Sequence, residues 1–167
     1  MKLALALLLV TAPAHAEPSE HSLSGTLSFT TLYRGTIDHS GGRLALGYDN
    51  RIDRRSSIGV RTGLSVRPDG FGSDVLPFVG VRVHGWLYPG NLTLKVGVGA
   101  ELWVNSAPVT ARYNENFFVH VLVEAGPRFE LSETWFLDVP VELGMLGFFE
   151  NPRVFSLQVG AQLGRSL

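Results

Sequence analysis

Apolar and polar residues alternate along much of the chain, and residues 91–105 (NLTLKVGVGAELWVN) show the pattern most clearly. Leu94 and Val96 belong to an apolar series at every second position, and Lys95 and Gly97 belong to the intervening series. A β-strand directs successive side chains to opposite faces, so this stretch predicts a strand with one apolar and one polar face. An apolar interior would make a soluble sandwich or barrel, whereas an apolar exterior would make a membrane protein.

The same alternation recurs between turn-forming residues and predicts eight strands. Short connections such as Tyr88-Pro89-Gly90-Asn91 are predicted at one end of the sheet, and longer ones over 67–76 and 105–116 at the other. The predicted strands cover residues 22–33, 42–49, 57–67, 77–88, 91–104, 117–129, 135–146 and 153–165.

Pooling the two faces of all the predicted strands indicates which face is inside. The apolar face carries no ionisable side chain except tyrosine until Arg165, at the end of the last strand. The polar face is dominated by Gly, Ser and Thr, whereas a soluble surface would be rich in long charged side chains. Glycine weakens an exposed strand, but a narrow eight-stranded barrel needs small residues inside. We therefore predict that the apolar face meets lipid and the polar face fills a lumen.

Charged residues on the polar face are predicted to pair inside this lumen, because buried charge is tolerated only when it is neutralised. Six basic and five acidic residues lie at inward positions of the predicted strands or at their ends, which is close to balance. The predicted lumenal charge network consists of Arg43, Arg61, Arg82, Lys95, Glu101, Glu124 and Glu142; Arg67, Arg128, Asp49 and Asp138 complete the count.

Aromatic residues occur at strand ends on both faces. Trp86 and Trp103 lie on the polar face, where they could cap the lumen. Those on the apolar face are expected in girdles at the lipid–water boundaries, and they are Tyr33, Tyr48, Phe117, Trp135 and Phe155.

The N-terminus predicts export. Residues 1–16 (MKLALALLLVTAPAHA) combine one basic residue, a short apolar run and a small-x-small cleavage pattern, as in a secretory signal peptide. One domain over residues 17–167 is predicted to follow. The chain has no cysteine, which excludes disulfides and thiolate metal sites. Fourteen basic and fifteen acidic residues give no basic patch that would indicate nucleic-acid binding.

These features resemble the small eight-stranded outer-membrane β-barrels of Gram-negative bacteria, the OmpA/OmpX class. The resemblance covers residues 17–167 and includes the last strand, VFSLQVGAQLGRSL, although that strand ends in Leu167 where the class normally has Phe or Trp. It implies an all-β, antiparallel, up-and-down transmembrane barrel in the cell outer membrane, with a polar lumen filled by side chains. The implied partners are outer-membrane lipid, lipopolysaccharide and the barrel-assembly machinery; a monomer is expected, and no nucleic acid.

Catalysis and metal binding are weaker hypotheses for the inward polar residues. Some outer-membrane barrels are lipid-modifying enzymes with a Ser-His-acid set, and His120 and Glu124 share one strand face, with His84 and Glu101 on the same side of neighbouring strands. These groups are more simply members of the charge network, and sequence spacing does not define a metal site across strands. We therefore expect no enzyme activity, no cofactor and no metal.

The expected role is structural or one of surface interaction. Phe71, Val109 and Tyr113 are the predicted contact residues of the longer loops. Two alternatives remain open at this point: a narrow pore for ions or small solutes, and a soluble periplasmic lipocalin-like carrier that binds an apolar ligand inside.

Overall fold

The computed structural model describes residues 21–33, 37–69, 72–104, 117–147 and 154–167. The predicted signal peptide over residues 1–16 and the predicted loop contacts Phe71, Val109 and Tyr113 lie outside the described residues. In the described part the chain forms β1 (His21–Tyr33), β2 (Ile37–Arg51), β3 (Ser56–Asp69), β4 (Gly72–Leu87), β5 (Thr93–Val104), β6 (Phe117–Glu130), β7 (Trp135–Asp138), β8 (Val141–Gly147) and β9 (Val154–Ser166).

The strands close into a barrel. Each pairs antiparallel with its neighbour, and β1 pairs with β9 from Ser22↔Ser166 to Tyr33↔Phe155. Both β7 and β8 lie between β6 and β9 and share one pairing register, so together they occupy a single strand position. The sheet therefore has eight positions, and the predicted all-β, eight-stranded antiparallel barrel is confirmed.

Two prolines explain why the strand pairing is interrupted between β7 and β8, where the sequence predicts one continuous strand over 135–146. The N–H of Val139 donates to the carbonyl of Pro127 (3.0 Å), and the N–H of Gly160 donates to that of Pro140 (3.1 Å). Proline has no N–H, so neither bond has the reciprocal partner that completes a ladder pair. A Cβ at Gly126 would lie only 2.2 Å from the Val139 carbonyl oxygen, so glycine permits this close approach.

The strands at the end opposite the short turns are longer than predicted. β2 begins at Ile37 instead of residue 42, and β4 begins at Gly72 instead of residue 77. β3 and β4 stay paired up to Asp69↔Gly72, so the predicted long loop over 67–76 is wrong. Backbone hydrogen bonds hold this part of the ladder, and they do not require the apolar alternation from which the strand ends were predicted.

Burial alternates along the strands and places the polar face inside. Thr26 and Ser28 are 5% and 8% exposed, whereas the adjacent Leu27 and Phe29 are 66% and 58% exposed. Among the described side chains, no residue assigned to the polar face is exposed. The apolar-out, polar-in arrangement is therefore confirmed.

Short turns join the strands at the end where β1 starts and β9 finishes. Gly90, with φ of 63°, adopts the left-handed conformation that the turn after β4 requires. In the turn after β2 the Asp53 carboxylate accepts a hydrogen bond from the Arg55 N–H (2.6 Å), which lowers the pKa of Asp53.

Across the described residues, no helix is long and apolar enough to cross a membrane.

Candidate functional site in the barrel lumen

An ion cluster around Arg82 occupies the lumen. The guanidinium of Arg82, on β4, lies 2.7 Å from an oxygen of Glu101 and 2.9 Å from one of Glu142, and it also contacts Glu124. Arg43, on β2, contacts Glu101 and lies 3.4 Å from Glu142. These five side chains are all at most 4% exposed. Because they come from five different strands, their ion pairs cross-link the barrel through its interior.

A second group of ion pairs extends the cluster towards the short turns. The Lys95 ammonium lies 3.4 Å from oxygens of both Glu124 and Asp138. Arg128 binds Asp138 through two parallel hydrogen bonds of 2.7 and 2.9 Å, the bidentate geometry that gives the strongest arginine–carboxylate contacts. Lys95 thus joins the two groups through one shared carboxylate on each side.

Arg61 lies in the lumen like the other predicted members of the charge network, but its partner is of a different kind. It is 2% exposed, but among the described residues it forms no ion pair within 4.0 Å. Its guanidinium instead donates to the side-chain carbonyl of Gln162 (2.9 Å), and Arg43 likewise donates to Gln158 (2.7 Å). Both glutamines lie at inward positions of β9, and the prediction, which considered only charged groups, did not include them in the network.

His84 bridges the network to a further carboxylate. Its Nδ1 lies 3.1 Å from Asp49 and its Nε2 lies 2.9 Å from Glu124. Together with the arginines and Lys95, this contact gives every buried carboxylate of the described lumen at least one basic partner. The buried charges are five acidic, Asp49, Glu101, Glu124, Asp138 and Glu142, and five basic, Arg43, Arg61, Arg82, Lys95 and Arg128.

Ser156, His120 and Glu101 form a hydrogen-bonded series. His120 Nε2 lies 2.8 Å from the Ser156 hydroxyl, and its Nδ1 lies 3.1 Å from Glu101. The order of groups is that of a serine-hydrolase triad. However, His120 is fully buried and Ser156 is 3% exposed, and Glu101 also accepts hydrogen bonds from Arg82 and from the Trp103 indole. The series is therefore part of the packed lumen rather than of an accessible cleft.

Aromatic residues cap this packed interior towards the loop end. Trp103 is fully buried, packs against Phe78 with ring centroids 5.8 Å apart, and meets His120 edge-on at 5.3 Å. The Arg43 guanidinium lies 3.9 Å from the Phe78 ring centroid, so the apolar layer rests directly on the ion cluster. The layer as a whole contains Leu32, Ala45, Leu76, Phe78, Trp103 and Phe118.

A second aromatic layer lies towards the short turns. Arg128 stacks over Phe136, 3.8 Å from the ring centroid, and lies 5.5 Å from Trp86. The structure thus places both Trp86 and Trp103 inside the barrel, where the sequence suggested caps. Phe78 and Phe136 were missed, although both occupy inward positions in the alternation of their strands.

No protein-family profile and no curated protein matches the chain. Solved structures do match it. Neisserial surface protein A aligns with a TM-score of 0.68 at 15% identity over 89% of this chain and 98% of that chain. The outer membrane protein OprG from Pseudomonas aeruginosa has a TM-score of 0.53 at 8% identity, over 91% and 98% of the two chains. Ail, the attachment invasion locus protein of Yersinia pestis, has a TM-score of 0.53 at 12% identity, over 88% and 99%.

At these identities the likeness is one of fold. The barrel closure, the strand number and the coverage of nearly the whole of each matched chain agree with the resemblance inferred from the sequence. The chain has the fold of the small eight-stranded outer-membrane β-barrels.

Proposed function

We propose that the protein is an integral β-barrel of the Gram-negative outer membrane with a structural or surface-interaction role and no enzyme activity. The observation that carries this proposal is an apolar outer belt around an interior filled by paired charges. This arrangement is the reverse of that in a soluble protein, where apolar side chains are inside and charged ones outside.

The belt supports a lipid environment. Leu27 and Leu46 are each 66% exposed, and Val98, near the middle of β5, is 55% exposed. Soluble monomers rarely expose a contiguous apolar patch of more than a few hundred Å². Here apolar side chains surround the barrel, and burying them in hydrocarbon removes the free-energy cost of exposing them to water. The closed ladder also satisfies the backbone hydrogen bonds that lipid cannot satisfy.

The filled lumen argues against the alternative functions. A carrier of an apolar ligand needs an apolar cavity, whereas the described interior holds five carboxylates and five cationic side chains. A pore needs an open path, whereas the aromatic layers around Trp103 and Phe136 lie on either side of the ion cluster. The burial of Ser156 and His120 likewise argues against hydrolysis of lipid at the lumenal series.

The loops then carry any specific biological role. Phe71, Val109 and Tyr113 are the proposed contact residues, in a protein that sits as a monomer among phospholipid and lipopolysaccharide after insertion by the barrel-assembly machinery. Surface or attachment proteins occur among the solved structures that share this fold, which supports a surface-interaction role.

Cell fractionation tests the membrane location. The protein should remain in the outer-membrane fraction after carbonate and urea washing, and unboiled samples should migrate differently from boiled ones on gels because the closed barrel resists detergent. Release into the soluble periplasmic fraction would contradict the proposal and favour a soluble carrier.

Planar-bilayer recording tests the closed lumen. Purified barrel should insert without producing discrete conductance steps, because paired charges and aromatic layers occupy the described lumen. Reproducible single-channel steps that depend on protein concentration would show instead that the protein is a pore.

A further inference from the structure

Arg165 is the only lysine or arginine among the outward strand side chains that the structure describes. It lies near the end of β9, is exposed, and has its guanidinium 5.9 Å from the ring centroid of Trp135. No described carboxylate shares the outward face of the strands. In a bilayer, an arginine at this depth extends its charged end to the lipid–water boundary, where phosphate oxygens are the available anions.

Arg165 belongs to a row of residues across four adjacent strand positions. The register pairs it with Trp135 on one side and Leu23 on the other, and Leu23 pairs in turn with Tyr48. The row spans three strand spacings, about 14 Å. Tyr48 and Trp135 are 39% and 42% exposed, and their amphipathic rings suit the boundary region. His21 fixes the tyrosine by stacking and by a 2.9 Å hydrogen bond to its hydroxyl.

A notch in the apolar belt leads away from this row towards mid-membrane. Gly25 follows Leu23 on the outward face of β1, and a Cβ built on it would have no atom within 4 Å. Its paired neighbours on the two adjacent strands are Leu46 and Leu163, which are 66% and 46% exposed. Two protruding leucines therefore flank an empty position that adjoins the Arg165 row on its mid-membrane side.

We propose that the Arg165 row and the Gly25 notch form a binding site for one glycerophospholipid. Arg165 binds the phosphodiester, Trp135 and Tyr48 flank the head group, and one acyl chain lies in the notch between Leu46 and Leu163. A glycerophospholipid fits this site because its phosphodiester is complementary in charge to Arg165 and its acyl chain is apolar like the sides of the Gly25 notch. The site rests on the proposed membrane location and assigns a lipid to one seam of the barrel, where β9 meets β1 and β7.

Native mass spectrometry of the purified, folded barrel in detergent tests the proposal. Phosphatidylglycerol, phosphatidylcholine and a diacylglycerol with the same acyl chains serve as probes. The wild type should retain one molecule of either phospholipid under activation that removes the diacylglycerol. Arg165→Gln should lower phospholipid retention about tenfold, through loss of a charge-assisted contact. Gly25→Leu, which fills the notch without touching the lumen, should lower it as well.

Two matched variants are the controls. Arg55→Gln removes an exposed arginine from a turn at the same end, and Gly42→Leu fills another outward position where a Cβ meets no atom within 4 Å. Both should retain phospholipid as the wild type does. Equal loss in a control and its test variant would overturn the site, as would retention of phosphatidylglycerol alone or equal retention of diacylglycerol. Gel mobility of each variant reports folding separately, and the fractionation experiment reports the membrane location, so failure of that location is distinguished from failure of the lipid site.

Discussion

Inward glycines let large polar side chains meet across the narrow lumen. A Cβ at Gly97 would lie 2.6 Å from the His84 ring and 3.0 Å from Glu124 Cγ, and one at Gly144 would lie 2.2 Å from His120 Nε2. Such distances are too short for ordinary contact, so these positions hold no side chain because their neighbours occupy the space. The sequence predicted this role for Gly97 from strand parity, but not which residues would fill the space, because that depends on side-chain reach across the barrel.

Replacing Gly97 by alanine should therefore destabilise the barrel by about 1–3 kcal/mol, the usual cost of overpacking. Gly42 is the matched position, since an added Cβ there points outward into open space. Urea unfolding in phospholipid vesicles, followed by tryptophan fluorescence, measures both variants. A Gly97→Ala midpoint equal to that of Gly42→Ala would contradict the packing assigned to the lumen.

Each strand works as a two-sided element whose faces meet different surroundings. In β5, Val98 faces outward at 55% exposure while Lys95 and Glu101 are 3% and 2% exposed inside. This division was predictable from alternation alone, because a period of two fixes the face of every residue once one is known. The alternation does not define strand ends beyond the apolar belt, and it does not reveal a proline pair such as Pro127 and Pro140 that interrupts the ladder without shifting register.

Val98→Arg tests the outward face at the level of the strand. An arginine at the middle of β5 should cost about 2–4 kcal/mol if that face meets the bilayer midplane. Val98→Leu keeps the face apolar and should leave the unfolding midpoint near that of the wild type. The two variants are compared by vesicle insertion and urea unfolding; efficient insertion of Val98→Arg would place this face outside the hydrocarbon.

Across the whole molecule, the ion network connects strands that are not neighbours in the sheet. Arg82 on β4 binds Glu142 on β8, and Arg43 on β2 binds Glu101 on β5. The sequence predicted the near-balance of charge but not these partners, because pairing across a barrel depends on its tilt and stagger, which no local pattern records. The sequence analysis also underestimated the lumen's apolar content, since it did not identify Phe78 and Phe136 as buried inward side chains.

Arg82→Met should be the most damaging single change in this network. It leaves three buried carboxylates, Glu101, Glu124 and Glu142, without their shared cation, and a comparable loss in other proteins costs about 3–5 kcal/mol. Arg55→Met, in an exposed turn, should shift stability by less than about 0.5 kcal/mol. Urea unfolding of both variants in vesicles decides the matter, and similar midpoints would mean that the ion cluster contributes little.

Because β1 pairs with β9, the closed sheet does not depend on where along its circuit the chain begins and ends. The Leu167 N–H donates to the His21 carbonyl (2.9 Å), so a short peptide could join these two ends without moving a strand. New termini could then open in the exposed turn at Pro89-Gly90, giving a circular permutant with the same ladder and the same lumen. In that permutant a local connection would join β9 to β1, and the new chain ends would lie between β4 and β5, which remain paired in the closed sheet.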